Sequence, residues 1–216
     1  MQADGIAVQK VSQLIAPDAK ITIQSDLLRW VSRGALKLLG ALQEAEAVCV
    51  EGAVCADIGA STGGFTQVLI EHGAKRVYAV DVGQGQLASR LRAHPQIINL
   101  EQVNARSLSA EEIPEPLDIV VCDVSFISIT KALPAALSLL AGGGWLITLI
   151  KPQFEAGRAA IGKGGVVRDP SIHEAVCAEI SHWASAEMGL TIAHLLPSPI
   201  MGPDGNKEFL LIARKM

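Results

Sequence analysis

The chain has 216 residues, half of them hydrophobic, and a formal net charge of −4 at pH 7. That length can form one sizeable α/β domain, and the modest acidity argues against a surface that attracts nucleic acid everywhere. The four cysteines form no CxxC pair and the five histidines show no ligand spacing, so we expect neither a disulfide framework nor a metal site.

Residues 1–24 differ in pattern from the rest of the chain. Short alternating stretches are separated by the turn residues Gly5, Pro17 and Asp18, and the segment is too short to form a domain of its own. Residues 1–10 lack the continuous apolar region of an export signal, so we expect a cytoplasmic protein. We expect a linker at 25–31 and the main domain at 32–216.

Apolar runs rich in β-forming residues alternate with helical patterns along the main domain. This alternation predicts an α/β, Rossmann-like fold with a seven-stranded, mostly parallel sheet and helices on both faces. No helical pattern separates the last two strands, which predicts a closing antiparallel strand. The strands are expected near 53–58, 76–81, 97–100, 117–122, 145–150, 191–196 and 208–212, and the helices near 33–46, 63–72, 84–92, 130–140 and 171–188.

The stretch from Ala132 to Ile150 has the length of a membrane span. Pro134 and the glycine triplet at 142–144 divide it into a short helix, a turn and a buried strand that starts at Trp145. We therefore expect this stretch in the α/β core and no contact with a membrane.

A glycine-rich loop follows the first strand of the main domain. Glycines there allow the backbone to turn tightly against a ligand, although their spacing is not that of GxGxxG. Asp57 at the strand end disfavours a pyrophosphate but suits a cationic ligand such as the sulfonium cofactor S-adenosylmethionine. The candidate cofactor residues of this loop are Asp57, Gly59, Ala60, Ser61, Thr62, Gly63, Gly64, Phe65 and Thr66.

The second strand of the main domain ends at Asp81. A carboxylate about twenty residues beyond a glycine loop can accept hydrogen bonds from a ribose diol. Asp57 and Asp81 at successive strand ends therefore predict a nucleoside site.

Several sequence blocks together resemble the hemolysin-type (TlyA-like) ribosomal RNA 2′-O-methyltransferases, within the wider FtsJ/RrmJ class. Their order and spacing agree over about residues 25–216. Members usually carry an N-terminal S4 RNA-binding domain, and residues 1–24 look like a remnant of one. The blocks are VSRGALKL from Val31, the run 57–66, VDVG from Val80, NAR from Asn104, DVSFIS from Asp123, KPQFE from Lys151, GGVV from Gly164 and GNKEF from Gly205.

The resemblance implies methyl transfer from S-adenosylmethionine to a ribose 2′-hydroxyl of ribosomal RNA, with a cytidine as the target. It also implies a Lys-Asp-Lys-Glu catalytic set, which falls here on Lys37, Asp123, Lys151 and Glu208. Lys151 would accept or steer the hydroxyl proton while the carboxylates hold the two amines, and both roles of Lys151 stay open.

The resemblance extends the cofactor site to Asp81, Val82, Asn104, Ala105 and Asp123. Ribosomal RNA or ribosomal subunits are the implied partners. The segment 151–168 is basic and rich in glycine, which is typical of a phosphate-contacting loop or of a solvated surface loop. The candidate RNA contacts are Arg33, Arg158, Lys163 and Arg168.

Phe126 could stack on a base, but we expect it to pack in the core. Three other functions compete with the methylation of ribosomal RNA. A membrane-active haemolysin would need exposed amphipathic or spanning segments, and the sequence offers neither. The intact Lys-Asp-Lys-Glu set argues against a non-catalytic RNA-binding module, and the basic segment argues modestly against a small-molecule methyltransferase.

Overall fold

The structure is a computed structural model that describes residues 2–4, 6–8, 13–22, 29–157, 162, 164–202 and 205–216. Two of the candidate RNA contacts, Arg158 and Lys163, lie outside the described residues, as does most of the expected linker at 25–31.

Three short strands precede the main domain, along which strands and helices alternate. The short strands are β1 (Gln2–Ala3), β2 (Ile6–Ala7) and β3 (Ile21–Thr22). The strands of the main domain are β4 (Val54–Ile58), β5 (Arg76–Asp81), β6 (Ile97–Glu101), β7 (Leu117–Cys122), β8 (Leu140–Ile150), β9 (Leu190–Pro197) and β10 (Phe209–Lys215). The helices are α1 (Ala35–Glu44), α2 (Gly64–Glu71), α3 (Ser89–Arg92), α4 (Ile129–Ala132), α5 (Pro134–Ser138), α6 (Pro152–Glu155) and α7 (Pro170–His182), with a 3-10 turn at Ala105–Ser107 and a π-helical turn at Trp183–Glu187.

Within the described residues, β4 to β10 form one seven-stranded sheet in the order β6-β5-β4-β7-β8-β10-β9. The first five strands in this order are parallel, whereas β10 runs antiparallel to both of its neighbours, β8 and β9. The predicted seven-stranded, mostly parallel sheet with an antiparallel strand is therefore confirmed. The antiparallel strand lies between β8 and β9, so β9 forms the edge of the sheet.

The glycine triplet at 142–144 lies inside β8, which starts at Leu140 and not at the predicted Trp145. Leu117 of β7 pairs with Leu140, and Ile119 pairs with Trp145, so the residues between Leu140 and Trp145 bulge out of the ladder. Gly143 has a φ of +84°, a backbone conformation that favours glycine. The expectation of a turn before the strand was wrong, because the triplet forms a bulge within it.

The hydrophobic core lies on both faces of the sheet. Successive side chains of a strand point to opposite faces, and in β4 this places Val54, Ala56 and Ile58 on one face and Cys55 on the other. The first face packs against α4, α5 and α7, and the second against α1 and α2. Because both faces are covered, ligands can reach the sheet only at its ends, and in such folds they bind at the carboxyl ends of the parallel strands.

Residues 2–22 contain three two-residue strands in a separate antiparallel sheet, in the order β2-β1-β3. The short alternating stretches of the sequence thus form strands. Their assignment to an S4-like domain stays a prediction.

Candidate active site

The four residues of the predicted catalytic set meet at the carboxyl-end edge of the sheet. Lys37 lies on α1, Asp123 follows β7, and Lys151 follows β8. Glu208 directly precedes β10, whose first residue, Phe209, pairs with the last residue of β8. Because β10 is antiparallel to β8, its start lies beside the end of β8, and this places Glu208 next to the other three residues.

Amines and carboxylates alternate in this cluster. Lys37 Nζ lies 2.6 Å from Glu208 Oε2 and donates a hydrogen bond to Asp123 Oδ2 at 3.3 Å. Lys151 Nζ lies 2.6 Å from Asp123 Oδ1 and donates to the Ser125 hydroxyl at 3.0 Å. Asp123 therefore connects the two lysines, and the order of the chain of charges is Glu208, Lys37, Asp123, Lys151.

Three of the four residues are almost fully buried, and the Asp123 side chain is 18% exposed. Lys37 and Lys151 are each 6% exposed and Glu208 is 2% exposed. A buried charge without a partner is costly, and here two positive and two negative groups compensate one another. The pairing fixes both amines in place and leaves Lys151 and Ser125 at the wall of a cavity.

Asp57 is buried beneath the glycine loop, with an exposure of 1%. Its Oδ2 accepts hydrogen bonds from the Thr66 N–H at 2.8 Å and the Thr66 hydroxyl at 2.6 Å. Its Oδ1 has no hydrogen-bond partner in the described part of the chain. Desolvation raises the pKa of Asp57 to about 7 against the lowering effect of Thr66, and the carboxylates of Asp123 and Asp81 raise it further. A cationic group of a ligand would complete this site.

The glycine loop passes close to the segment that follows β7. Gly59 has a φ of +82°, and a Cβ atom there would lie 3.2 Å from the carbonyl oxygen of Asp123. Gly63, with a φ of +96°, precedes the first turn of α2. The loop therefore turns sharply between β4 and α2 and leaves its backbone open to the cavity.

Asp81 joins the glycine loop to the loop that follows β5. One carboxylate oxygen accepts the Ser61 N–H at 2.8 Å, and the other accepts the Gly83 N–H at 2.7 Å.

Glu101 fixes the next part of the same loop, because it accepts the N–H groups of residues 85, 86 and 87 at 2.9, 2.7 and 3.0 Å. These backbone hydrogen bonds lower the pKa of Glu101 to about 2. The sequence analysis did not identify Glu101.

Two cavities adjoin at this edge of the sheet. The larger, of about 560 Å³, is lined by Asp57 and the four catalytic candidates. The smaller, of about 400 Å³, is lined by Asp81, Val82, Asn104 and Ala105. Both volumes are typical of small-molecule sites. The residues that line both cavities, and so lie between them, are Gly59, Ser61, Asp123, Ser125 and Phe126.

Most of the other predicted cofactor residues also line these cavities. Ala60, Thr62, Gly64 and Phe65 line the larger one. Two predicted residues line neither. Thr66 is fully buried and holds Asp57, and Gly63 packs towards the side chains of α3.

The predicted RNA contacts that the structure describes are exposed. Arg33 lines the larger cavity, whereas Arg168 lies on the surface away from both cavities. Phe126 is 90% exposed, so the expectation that it packs in the core was wrong. It belongs to the loop that leaves the sheet at Asp123, it has a φ of +66°, and its ring contacts Phe154 at 5.0 Å between centroids.

Comparison with known proteins identifies the family. The model of the FtsJ-like methyltransferases matches residues 30–215. The chain belongs to this family. TlyA of Mycobacterium tuberculosis, named 16S/23S rRNA (cytidine-2′-O)-methyltransferase, is 43% identical over 215 residues, which cover 99% of this chain and 80% of that protein. Hemolysin A of Brachyspira hyodysenteriae is 40% identical over 96% of this chain and 85% of that protein. A crystal structure from Lactococcus lactis, provisionally described as a hemolysin, has a TM-score of 0.83 and 42% identity, with 88% of this chain and 90% of that chain covered.

Family membership confirms the predicted fold class and the predicted cofactor, S-adenosylmethionine. The structure fits that cofactor, because Asp57 offers an unpaired buried oxygen and Asp81 lies in the adjoining cavity. Throughout the described ranges we find no helix that is both long and apolar enough to cross a membrane. The apolar stretch from Ala132 to Ile150 contains α5 and β8.

Proposed function

We propose that this FtsJ-like methyltransferase transfers a methyl group from S-adenosylmethionine to the 2′-hydroxyl of a cytidine ribose in ribosomal RNA. The observation that carries the proposal is the chain of alternating charges from Glu208 to Lys151 at the wall of the larger cavity, which shares lining residues with the smaller cavity that Asp81 lines. The name of the M. tuberculosis relative, which matches almost the whole chain, supports the choice of ribosomal RNA and cytidine.

The cofactor supplies a methyl group that its sulfonium centre activates. Asp57 would hold the ammonium group of the cofactor through its unpaired Oδ1. Asp81 would hold the ribose diol, since its carboxylate is fixed by two backbone N–H groups and lines the smaller cavity. Val82, which is 70% exposed, and Asn104 would flank the adenine ring.

Lys151 acts on the ribose hydroxyl. A hydroxyl is a weak nucleophile, so its proton must be held or removed while its oxygen is kept in line for attack. The Lys151 amine has fixed partners on two sides, Asp123 and Ser125, and lines the larger cavity. Asp123 and Glu208 hold Lys37 in the same way, which keeps Asp123 oriented towards Lys151.

Exposed residues at the cavities and on the nearby basic segment suit an RNA substrate. Arg33, at the larger cavity, and Arg168, in the segment 151–168, are exposed and can contact phosphates. The exposed ring of Phe126 lines both cavities and can stack on a base that has left its helix.

The test is transfer of a labelled methyl group to purified ribosomal subunits, followed by nucleoside analysis of the product. We expect 2′-O-methylcytidine. We expect Lys151→Met and Lys37→Met to lower kcat at least about 100-fold while the Kd for S-adenosylmethionine changes less than about threefold. Lys131→Met is the matched control, because Lys131 is exposed on α4 and lines neither cavity.

Two results would contradict the proposal. The first is methylation of a base instead of a ribose, at a rate that Lys151→Met leaves unchanged. The second is release of haemoglobin from red cells by the pure protein, again unaffected by Lys151→Met, which would favour a membrane-active haemolysin. A pH–rate profile without any lysine-like titration would leave Lys151 the positioning role and exclude the base role.

A further inference from the structure

The segment 164–168 and the start of β10 are joined by buried side chains that the catalytic mechanism does not use. We infer that Asn206, together with His173, is a positioning residue that locks the segment 164–168 onto the strand carrying Glu208 and so aligns bound RNA with the catalytic cluster. This inference rests on the proposed function, because it assumes an RNA substrate.

Asn206 is 3% exposed, and each of its side-chain polar atoms bonds to the backbone of the segment 164–168. Its Oδ1 accepts the Val167 N–H at 3.1 Å, and its Nδ2 donates to the Gly165 carbonyl at 3.2 Å. The backbone carbonyl of Asn206 accepts a hydrogen bond from the Gly202 N–H at 2.9 Å. An amide suits this position, because its oxygen accepts and its nitrogen donates at the same time.

His173 binds the other backbone polar group of Val167, its carbonyl. Its Nε2 lies 3.0 Å from the Val167 carbonyl, and since a carbonyl oxygen only accepts, the ring nitrogen must donate. The His173 ring also contacts the ring of Phe209 at 5.6 Å between centroids. Val167 is 2% exposed and has both backbone polar groups engaged, one by Asn206 and one by His173.

The clamp formed by Asn206, Val167 and His173 connects two parts of the site that substrate would contact together. Gly165 and Asn206 line the larger cavity with Glu208, and the exposed Arg168 directly follows Val167. Asn206 precedes Glu208 by two positions, and Glu208 pairs with Lys37 at 2.6 Å. A loose clamp would therefore free a phosphate-binding arginine and a catalytic carboxylate at the same time.

Asn206 and Gly165 share the larger cavity with Asp57, but the clamp makes no hydrogen bond to Asp57 or Asp81. Asp57 and Asp81 belong to β4 and β5, which lie on the far side of β7 from β8 and β10. Loss of the clamp should consequently change kinetics towards RNA and leave cofactor binding unchanged. A residue that only supports the fold would weaken both.

The experiment measures kcat and KM with ribosomal subunits, the Kd for S-adenosylmethionine, and amide hydrogen exchange at Val167, on the full chain. Asn206→Asp keeps the shape and the acceptor but loses the donor to Gly165. We expect a rise in KM of about tenfold with a fall in kcat, a Kd within about twofold of the wild-type value, and faster exchange at Val167. His173→Leu should behave alike, whereas His173→Gln, which still offers an N–H donor, should recover most of the activity. Glu174→Gln is the matched control, because Glu174 is the exposed neighbour of His173 in α7.

The outcomes separate the inference from the proposed function. Wild-type protein that leaves ribosomal RNA unmethylated would overturn the proposed function, and the RNA-aligning role of the clamp would fall with it. Active wild-type protein with unchanged kcat and KM in both Asn206→Asp and His173→Leu would overturn the inference alone. So would a parallel loss of cofactor affinity and thermal stability in these variants, because that result marks a purely structural role.

Discussion

We expect Asp57 both to lower the stability of the folded protein and to hold the cofactor, and Asp57→Asn should separate these two effects. Burial raises its pKa from 3.8 to about 7. That rise corresponds to about 4 kcal/mol of destabilisation when the carboxyl is charged at pH 8. Asparagine is neutral and keeps an oxygen for the Thr66 N–H, so we expect Asp57→Asn to increase the free energy of unfolding by about 2 to 4 kcal/mol at pH 8.

The pH dependence gives the sign of the effect. The folded pKa of Asp57 lies above the unfolded pKa, so the folded protein binds the proton more tightly. The destabilising contribution of Asp57 therefore decreases as the pH falls from 7 to 4, and the advantage of Asp57→Asn should shrink over the same range. The same substitution should weaken cofactor binding. We expect Asp57→Asn to raise the Kd for S-adenosylmethionine at least about tenfold at pH 8, because a neutral amide cannot form an ion pair with an ammonium group.

Urea unfolding of both proteins between pH 4 and 8, with calorimetric titration of S-adenosylmethionine at pH 8, checks both parts. Asp118→Asn is the control, because Asp118 also accepts a backbone N–H, that of Val54, but is exposed on β7. A lower stability of Asp57→Asn than of wild type at pH 8 would show that the burial argument is wrong. A Kd equal to that of wild type would show that Asp57 does not hold the ammonium group.

Two further substitutions probe the walls of the site. A Cβ atom at Gly202 would lie 2.1 Å from Glu208 Oε1, so Gly202→Ala should displace this carboxylate and lower kcat at least about tenfold, whereas Gly142→Ala, with open space around it, should not. Equal rates in the two variants would refute this. Glu101→Gln should weaken cofactor binding about threefold to tenfold, because an amide oxygen accepts the three N–H groups of residues 85–87 less strongly than a carboxylate. An unchanged Kd by calorimetry would show that this loop does not depend on Glu101.

The sequence predicted those parts of the site that strand topology determines. Asp57, Asp81, Asp123 and Lys151 each end or follow an apolar run, and parallel strands bring their carboxyl ends to one edge. The position of Glu208 could not be predicted in this way, because Glu208 precedes its strand, β10, and does not follow one. Only the family resemblance assigned it, and the antiparallel direction of β10 explains why it lies near the rest.

Other features depend on partners that are distant in the sequence. The glycine triplet permits either a turn or a bulge, and the pairing of β7 with β8 selects the bulge. An apolar residue such as Phe126 suggests a core position, but the loop conformation exposes it. Nothing in the local pattern marks Glu101 or Asn206, because the backbone groups they bind lie 14 to 16 positions away for Glu101 and 39 to 41 for Asn206.

The position of β10 has a consequence for how the chain is synthesised. β8 and β9 are made first, yet in the described sheet β9 pairs with no strand other than β10. Until residues 209–215 leave the ribosome, two strands therefore present unpaired edges, the feature through which sheets aggregate. A stop codon just before Phe209 would release a chain with an open sheet and all four of its predicted catalytic residues. The seven-stranded sheet is therefore complete only when residues 209–215 have been made and have paired with β8 and β9.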